Sequence, residues 1–154
     1  MDMVGFACYT PGCQKYPAGL PLIPSADRGN FLAAVGDAEH LPLLSAFQQP
    51  GQKMPPVLTL PIPLKGMLIP DTLRSDHAPF WYQGVGAVLL TDTANLRTPH
   101  YHQPSDTPEN IDRSFFTGVA QIVVNATTKL LAQERLESQL STSLTSVAAP
   151  PLPQ

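Results

Sequence analysis

Three apolar stretches bounded by turn residues are typical of buried strands. They cover residues 2–8, 30–35 and 84–91, and glycine, proline or aspartate follows each one closely. The stretch 84–91 is almost continuously apolar, which predicts a strand buried on both faces. Residues 57–60 also suit a strand, but the six prolines between positions 50 and 70 restrict it to the edge of a sheet.

Two segments carry helix signals. Asp37 is placed to cap a helix that we expect to end near Phe47. Asp112 is placed to cap a longer helix that we expect to end near Glu134. The apolar positions of this second helix follow three-four spacing: Phe115, Phe116, Val119, Ile122, Val123, Ala126, Leu130 and Leu131. Strands that alternate with helices predict the α/β class.

Composition limits the classes that remain. The 154 residues suffice for one domain, which we place at 1–135, and the Ser/Thr/Pro-rich residues 136–154 predict a disordered tail. The net charge of −3 offers no basic surface for nucleic acid. No apolar run approaches the roughly 20 residues that span a bilayer, so no membrane association is expected.

The two cysteines, Cys8 and Cys13, are too few for a disulfide framework or a zinc ribbon. A local disulfide and a pair of free thiols are both compatible with this spacing.

Asp76 and His77 place a carboxylate beside an imidazole. Adjacent residues cannot form a Ser/His/Asp triad, because the three groups must converge from separate positions. The pair either contacts a site, or it caps a short helix and leaves His77 on the surface.

Residues 99–107 hold the densest set of chemical groups. In an extended segment His100 and His102 would share a face, and with Asp106 they could bind one metal ion. An exposed loop is the alternative. Asp2 begins an apolar segment, where a carboxylate is costly to bury unless it is paired or bound to metal. Fraying of the terminus is the other interpretation.

Together these motifs resemble the co-catalytic dizinc exopeptidases. The similar segments are Ser75-Asp-His-Ala-Pro-Phe-Trp81, the strand at 84–93, residues 99–112 with the helix that follows, and the opening Asp2-Met-Val-Gly-Phe6. That family includes the leucyl aminopeptidases, aminopeptidase Y and glutamate carboxypeptidase, with glutaminyl cyclase as kin. The resemblance implies a truncated α/β/α sandwich with a mixed, mostly parallel sheet.

The resemblance also implies roles for four residues. Asp2 and His102 match one ligand to each of two zinc ions, Tyr101 matches a residue that polarises the scissile carbonyl, and Asp76 lies in a stretch beside the metal centre. The activity implied is zinc-dependent hydrolysis of peptides that have a free amino terminus.

The family's other ligands and its general base come from upstream segments that this chain does not contain. Two ligands fall short of the three protein ligands and one water of a catalytic zinc ion. The resemblance therefore implies a C-terminal fragment of such an enzyme that is inactive alone. The alternative is a non-catalytic interaction module or a complementing half that packs on an N-terminal half chain.

Overall fold

Three strands form one mixed sheet in the computed structural model, which describes residues 1–17, 26–48, 51 and 53–147. The strands are β1 (Leu32–Asp37), β2 (Val57–Ile62) and β3 (Val88–Thr91). β1 is central, with β2 parallel to it on one side and β3 antiparallel on the other. The predicted edge position of the proline-flanked strand is confirmed, because β2 pairs only with β1 among the described residues.

Within the described residues three α-helices accompany the sheet: α1 (Leu41–Ser45), α2 (Ala78–Tyr82) and α3 (Arg113–Val147). Short 3-10 helices lie at Pro63–Gly66, Pro70–Leu73, Ala94–Leu96 and Pro108–Asn110. Proline occupies the first turn of α1, α2 and three of the four 3-10 helices. Its fixed φ and missing N–H are tolerated there, which explains how a proline-rich chain retains regular structure.

The first face of the sheet packs against α1 and α3. The buried residues of this cluster are Leu32, Ala34, Leu44, Phe47, Leu90, Phe115, Val119, Ile122 and Ala126. The α3 members recur at the three-four spacing that the sequence predicts, so one stripe of this helix faces the sheet. The predicted cap is also confirmed, since Asp112 Oδ1 accepts the N–H of Phe115 at 2.9 Å.

The second face of the sheet is covered less completely. Its buried cluster comprises Phe31, Ala33, Val35, Ile62 and Trp81, and several apolar neighbours on β2 and β3 are only partly buried. All six residues of β1 are buried, so the central strand packs on both faces. These layers confirm the predicted α/β class with a mixed sheet.

The prediction of a strand at residues 2–8 is wrong. This segment forms only a single bridge, between Cys8 and Gly29, and Met3 has a left-handed φ of 52° that interrupts an extended chain. It still lies along β3, because the Asp2 N–H donates to the Leu90 carbonyl at 3.1 Å. The strand predicted at 84–91 begins only at Val88, since α2 is followed by a turn at Gly84 with φ 73°.

The helix boundaries also differ from expectation. Asp37 ends β1 and does not cap a helix, because its carboxylate accepts the N–H of Glu39 and bonds the ring of His40 at 2.8 Å. The helix that follows therefore starts at Leu41 and has only five residues.

The long helix α3 continues to Val147, past the predicted end at Glu134. Residues 136–147 of the predicted disordered tail are thus helical, because they contain neither glycine nor proline and repeat leucine at positions 136, 140 and 144. Residues 148–154 lie outside the described part. By length and composition alone Arg113–Thr142 could cross a membrane, but the first half of this stretch supplies buried side chains to the core.

Close packing of α3 gives a testable prediction. A Cβ on Gly118 would meet Cδ of Pro55 and lie 3.1 Å from its Cγ, and a proline ring cannot rotate away. Alanine in a helix normally gains about 1 kcal/mol over glycine, but overpacking costs roughly 1–3 kcal/mol. We expect Gly118→Ala to lower the free energy of unfolding, measured by urea denaturation.

The neighbouring exposed position provides the control. Thr117→Ala should be neutral or slightly stabilising, because it only improves helix propensity. A Gly118→Ala variant as stable as Thr117→Ala would show that α3 is not held against Pro55.

Candidate functional site

A cleft of about 110 Å³ opens over the second face of the sheet. Its floor is apolar and consists of Ala33, Val35, Leu58, Leu60 and Leu89. Its polar rim includes Asp2, Lys15, Asp71, Arg74, Asn95 and Tyr101. Since about 10–15 Å³ of such volume suffices for one water, the cleft holds several waters or a small part of a ligand. Sites for whole small molecules are usually about 300–1,000 Å³.

The segment that carries Asp2 is held by Asp92, at the end of β3. Oδ2 of Asp92 accepts the N–H groups of Gly5 at 3.1 Å and Phe6 at 2.8 Å, and Oδ1 accepts that of Ala94 at 3.0 Å. The Asp92 N–H in turn donates to the Met3 carbonyl. These bonds place the exposed Asp2 side chain at the rim of the cleft.

Arg97 is a buried cation near Asp92. Its Nε donates to Gln14 Oε1 at 2.8 Å, and its guanidinium carbon lies 4.6 Å from the centre of the Phe31 ring. Burial raises the pKa of Asp92, against the three backbone N–H groups and the charge of Arg97. Burial lowers the pKa of Arg97 to about 10, so this guanidinium stays protonated at neutral pH.

Tyr101 and His102 form a stack next to the cleft. Their ring centres are 3.9 Å apart with an angle of 16° between the planes. His102 adopts a left-handed φ of 57° and is exposed, while Tyr101 is half-buried and lines the cleft. Asp2 and Tyr101 thus line one cleft although they are far apart in the sequence, and His102 contacts Tyr101 beside it.

Asp76 is exposed and is not among the residues that line the cleft. It precedes α2 and acts electrostatically on His77, which is buried against Trp81. Of the two alternatives for this pair, the one that leaves His77 on the surface is wrong. Its Nε2–H donates to the Thr72 carbonyl at 2.6 Å, while Nδ1 has no hydrogen-bond partner among the described residues.

The two histidines of the His-x-His sequence have different surroundings. His100 Nδ1 bonds Ser105 Oγ at 3.0 Å, and its ring contacts Phe6 edge-on, whereas His102 stacks on Tyr101. Within the described residues no three His, Cys, Asp or Glu side chains are close enough together to bind a metal ion. The mononuclear site of His100, His102 and Asp106 therefore gains no support.

The same observation tests the fit of zinc. Asp2 and His102 are the two candidate ligands of this chain, and a catalytic zinc ion needs about three protein ligands. The described residues alone do not complete a zinc site.

Sequence reasoning missed the groups that organise this region. Arg74 and Asn95 line the cleft and bond each other, yet neither belongs to a recognisable short motif. In the sequence Asp92 marks only the end of an apolar stretch. Its position directly after a predicted buried strand is the signal that could have indicated a buried carboxylate. Cys8 and Cys13 form a disulfide, which closes the loop after the Asp2 segment.

Comparison with known proteins adds the following. Residues 28–127 match the model of peptidase family M28. The uncharacterized protein YfbL of Escherichia coli (strain K12) is 30% identical over 130 residues, which are 84% of this chain and 39% of that protein. The chain thus spans about two fifths of the length of this relative. No solved structure matches it significantly.

The buried imidazole of His77 gives a prediction on pH. Burial lowers its pKa, although the Thr72 carbonyl and the charge of Asp76 oppose this. At a pH below the ordinary histidine pKa of about 6.5, His77 binds a proton in the unfolded chain but not in the folded chain. The free energy of unfolding should therefore fall as pH decreases from 7.5 to 5.5.

NMR titration of the His77 ring protons measures this pKa directly. Asp76→Asn should lower it further, because the carboxylate of Asp76 favours the charged imidazole. A His77 pKa at or above 6.5 in the unmodified chain would contradict the burial argument.

Proposed function

Because the chain belongs to peptidase family M28, we propose that it contributes the C-terminal part of a zinc-dependent exopeptidase. Membership confirms the resemblance at the level of the family and supports a peptidase-like function. The finer proposal is aminopeptidase-like hydrolysis of peptides that have a free amino terminus.

The shared cleft of Asp2 and Tyr101, with His102 in contact with Tyr101, supports this proposal. Asp2 and Tyr101 line the same cleft, and His102 stacks on Tyr101. In the sequence, Asp2 is far from the other two residues. Asp2 lies outside the part of the chain that matches the family model. Its assignment therefore depends on the motif resemblance and on its place in the cleft.

We assign the four residues as follows. Asp2 and His102 are one ligand each for two zinc ions, which supply Lewis acidity when bound. Tyr101 hydrogen-bonds the carbonyl oxygen of the scissile peptide bond. Asp76 is a positioning residue beside the site, since it is exposed at the start of α2 and acts on His77.

The remaining ligands and the general base must come from another segment. We propose that an N-terminal half chain supplies them and packs on the incompletely covered face of the sheet. Leu58, Leu60 and Leu89 are only partly buried there, although every residue of the central strand β1 between them is buried. On this proposal the chain binds little zinc and has no turnover alone.

The same sheet face favours a second candidate function. A non-catalytic module would use the apolar floor of the cleft to bind a partner without any chemistry. The two functions differ in their dependence on His102, which catalysis requires and simple docking does not.

Complementation tests the proposal. The 154-residue chain is mixed with the part of the Escherichia coli relative that lies outside the matched segment, and zinc content and hydrolysis of a leucyl chromogenic substrate are measured. We expect both to appear only in the mixture. His102→Ala and Asp2→Asn should each reduce zinc affinity more than about 100-fold. Mutation of a residue that only hydrogen-bonds a metal ligand already costs about 10–100-fold in metal affinity, and loss of the ligand itself should cost more.

His100→Gln is the matched control, because it removes the neighbouring histidine, which bonds Ser105. It should leave zinc affinity and turnover nearly unchanged. A stable complex without zinc or turnover would favour the docking module. Two zinc ions bound by the chain alone would mean that it contains ligands beyond Asp2 and His102.

A further inference from the structure

Arg74 lies at the rim of the cleft, in the turn between the 3-10 helix Pro70–Leu73 and α2. Its side chain is half-exposed and lines the same cleft as Asp2 and Tyr101. Its guanidinium carbon is 5.7 Å from the centre of the Tyr101 ring, which stacks on His102. Arg74 therefore lies over the same tyrosine ring that stacks on the proposed zinc ligand.

The orientation of the guanidinium is fixed from one side. Nη1 donates to Asn95 Oδ1 at 2.9 Å and lies 3.5 Å from Asp71 Oδ1. Both contacts use Nη1, so the Nε–Nη2 edge makes no hydrogen bond within the described residues. Two parallel N–H groups on one edge of an arginine match the two oxygens of a carboxylate.

The charged residues on the rim balance, two cations against two carboxylates, so the rim has no net charge that repels an anion. Lys15 is a second cation on the rim, and Asp71 is already paired with Arg74. The other rim carboxylate, Asp2, is the one assigned to metal. A carboxylate that enters the cleft would meet a preoriented arginine edge beside the residue proposed to bind the scissile carbonyl.

We propose that Arg74 determines substrate specificity by binding a carboxylate of the peptide through its Nε–Nη2 edge. This inference rests on the proposed peptidase function and names its substrate class: short peptides that carry a carboxylate near the scissile bond. The carboxylate is either the C-terminal group of a dipeptide or an acidic side chain.

Peptide binding to the 154-residue chain tests the inference without metal or turnover, since Arg74, Asn95 and Tyr101 all belong to this chain. The isotope-labelled protein is titrated in the presence of a chelator with leucyl-leucine, leucyl-leucinamide and leucyl-glutamic acid amide, and the backbone NMR signals of Asn95 and Tyr101 are followed. We expect a peptide with a carboxylate to bind about tenfold more tightly than leucyl-leucinamide. Preference for leucyl-leucine identifies the terminal carboxylate, and preference for leucyl-glutamic acid amide identifies the acidic side chain.

Variants test whether the guanidinium of Arg74 causes the preference for peptides with a carboxylate. Arg74→Gln should abolish it, and Arg74→Lys should keep only part of it, because lysine is a point charge without the fork. Arg135→Gln, which removes an exposed cation on α3, should leave it intact. Equal affinity for all three peptides, no measurable binding of any of them, or a preference that persists in Arg74→Gln would overturn the inference.

The two proposals fail separately. If complementation gives no zinc binding and no turnover, the proposed peptidase function fails, whether or not Arg74 shows a carboxylate preference. If turnover is restored but the carboxylate preference is absent, only the specificity assignment fails.

Discussion

The candidate site depends on the hydrogen bonds that the buried carboxylate of Asp92 accepts. This carboxylate has no exposed surface and accepts three backbone N–H groups, two from the Gly5–Phe6 segment and one from Ala94. A buried carboxylate is tolerated only when its hydrogen-bonding capacity is used and a cation is near, and Arg97 is that cation. Because residues 2–6 form no strand of their own, these bonds and those to the β3 backbone fix the position of Asp2.

One face of the sheet is fully packed, and the other face carries the candidate site. One face is sealed by α1 and α3, whose apolar stripe buries Phe115, Val119, Ile122 and Ala126. On the other face, α2 covers only part of the surface through Trp81, which leaves a cleft over the strands. The candidate chemistry lies along this less covered face, where an additional element can both complete the packing and bring in missing groups.

Sequence reasoning succeeded where local patterns carry the information. The α/β class, the edge strand and the cap at Asp112 follow from hydrophobic period, proline positions and capping chemistry. It failed where individual side-chain hydrogen bonds, whether local or long-range, override the local pattern. Asp92 orders residues 2–6 without making them a strand, and Asp37 bonds His40 in preference to capping a helix. The motif resemblance assigns roles to Asp2, Tyr101 and His102, and these roles stay predictions, although the structure places Asp2 and Tyr101 in one cleft. Arg74 becomes a candidate only once its contacts with Asn95 and Tyr101 are known.

The arrangement at the rim explains why ligand count and substrate recognition can be separated in this chain. Asp2 and His102 offer too few donors for a zinc ion, so the proposed catalysis requires ligands beyond these two. The contacts among His102, Tyr101 and Arg74 require no further segment, because each of these side chains contacts a neighbour in the same chain. On the proposed function, residues that orient a substrate are thus already in place in this chain, and a second segment over the less covered face of the sheet completes the metal centre.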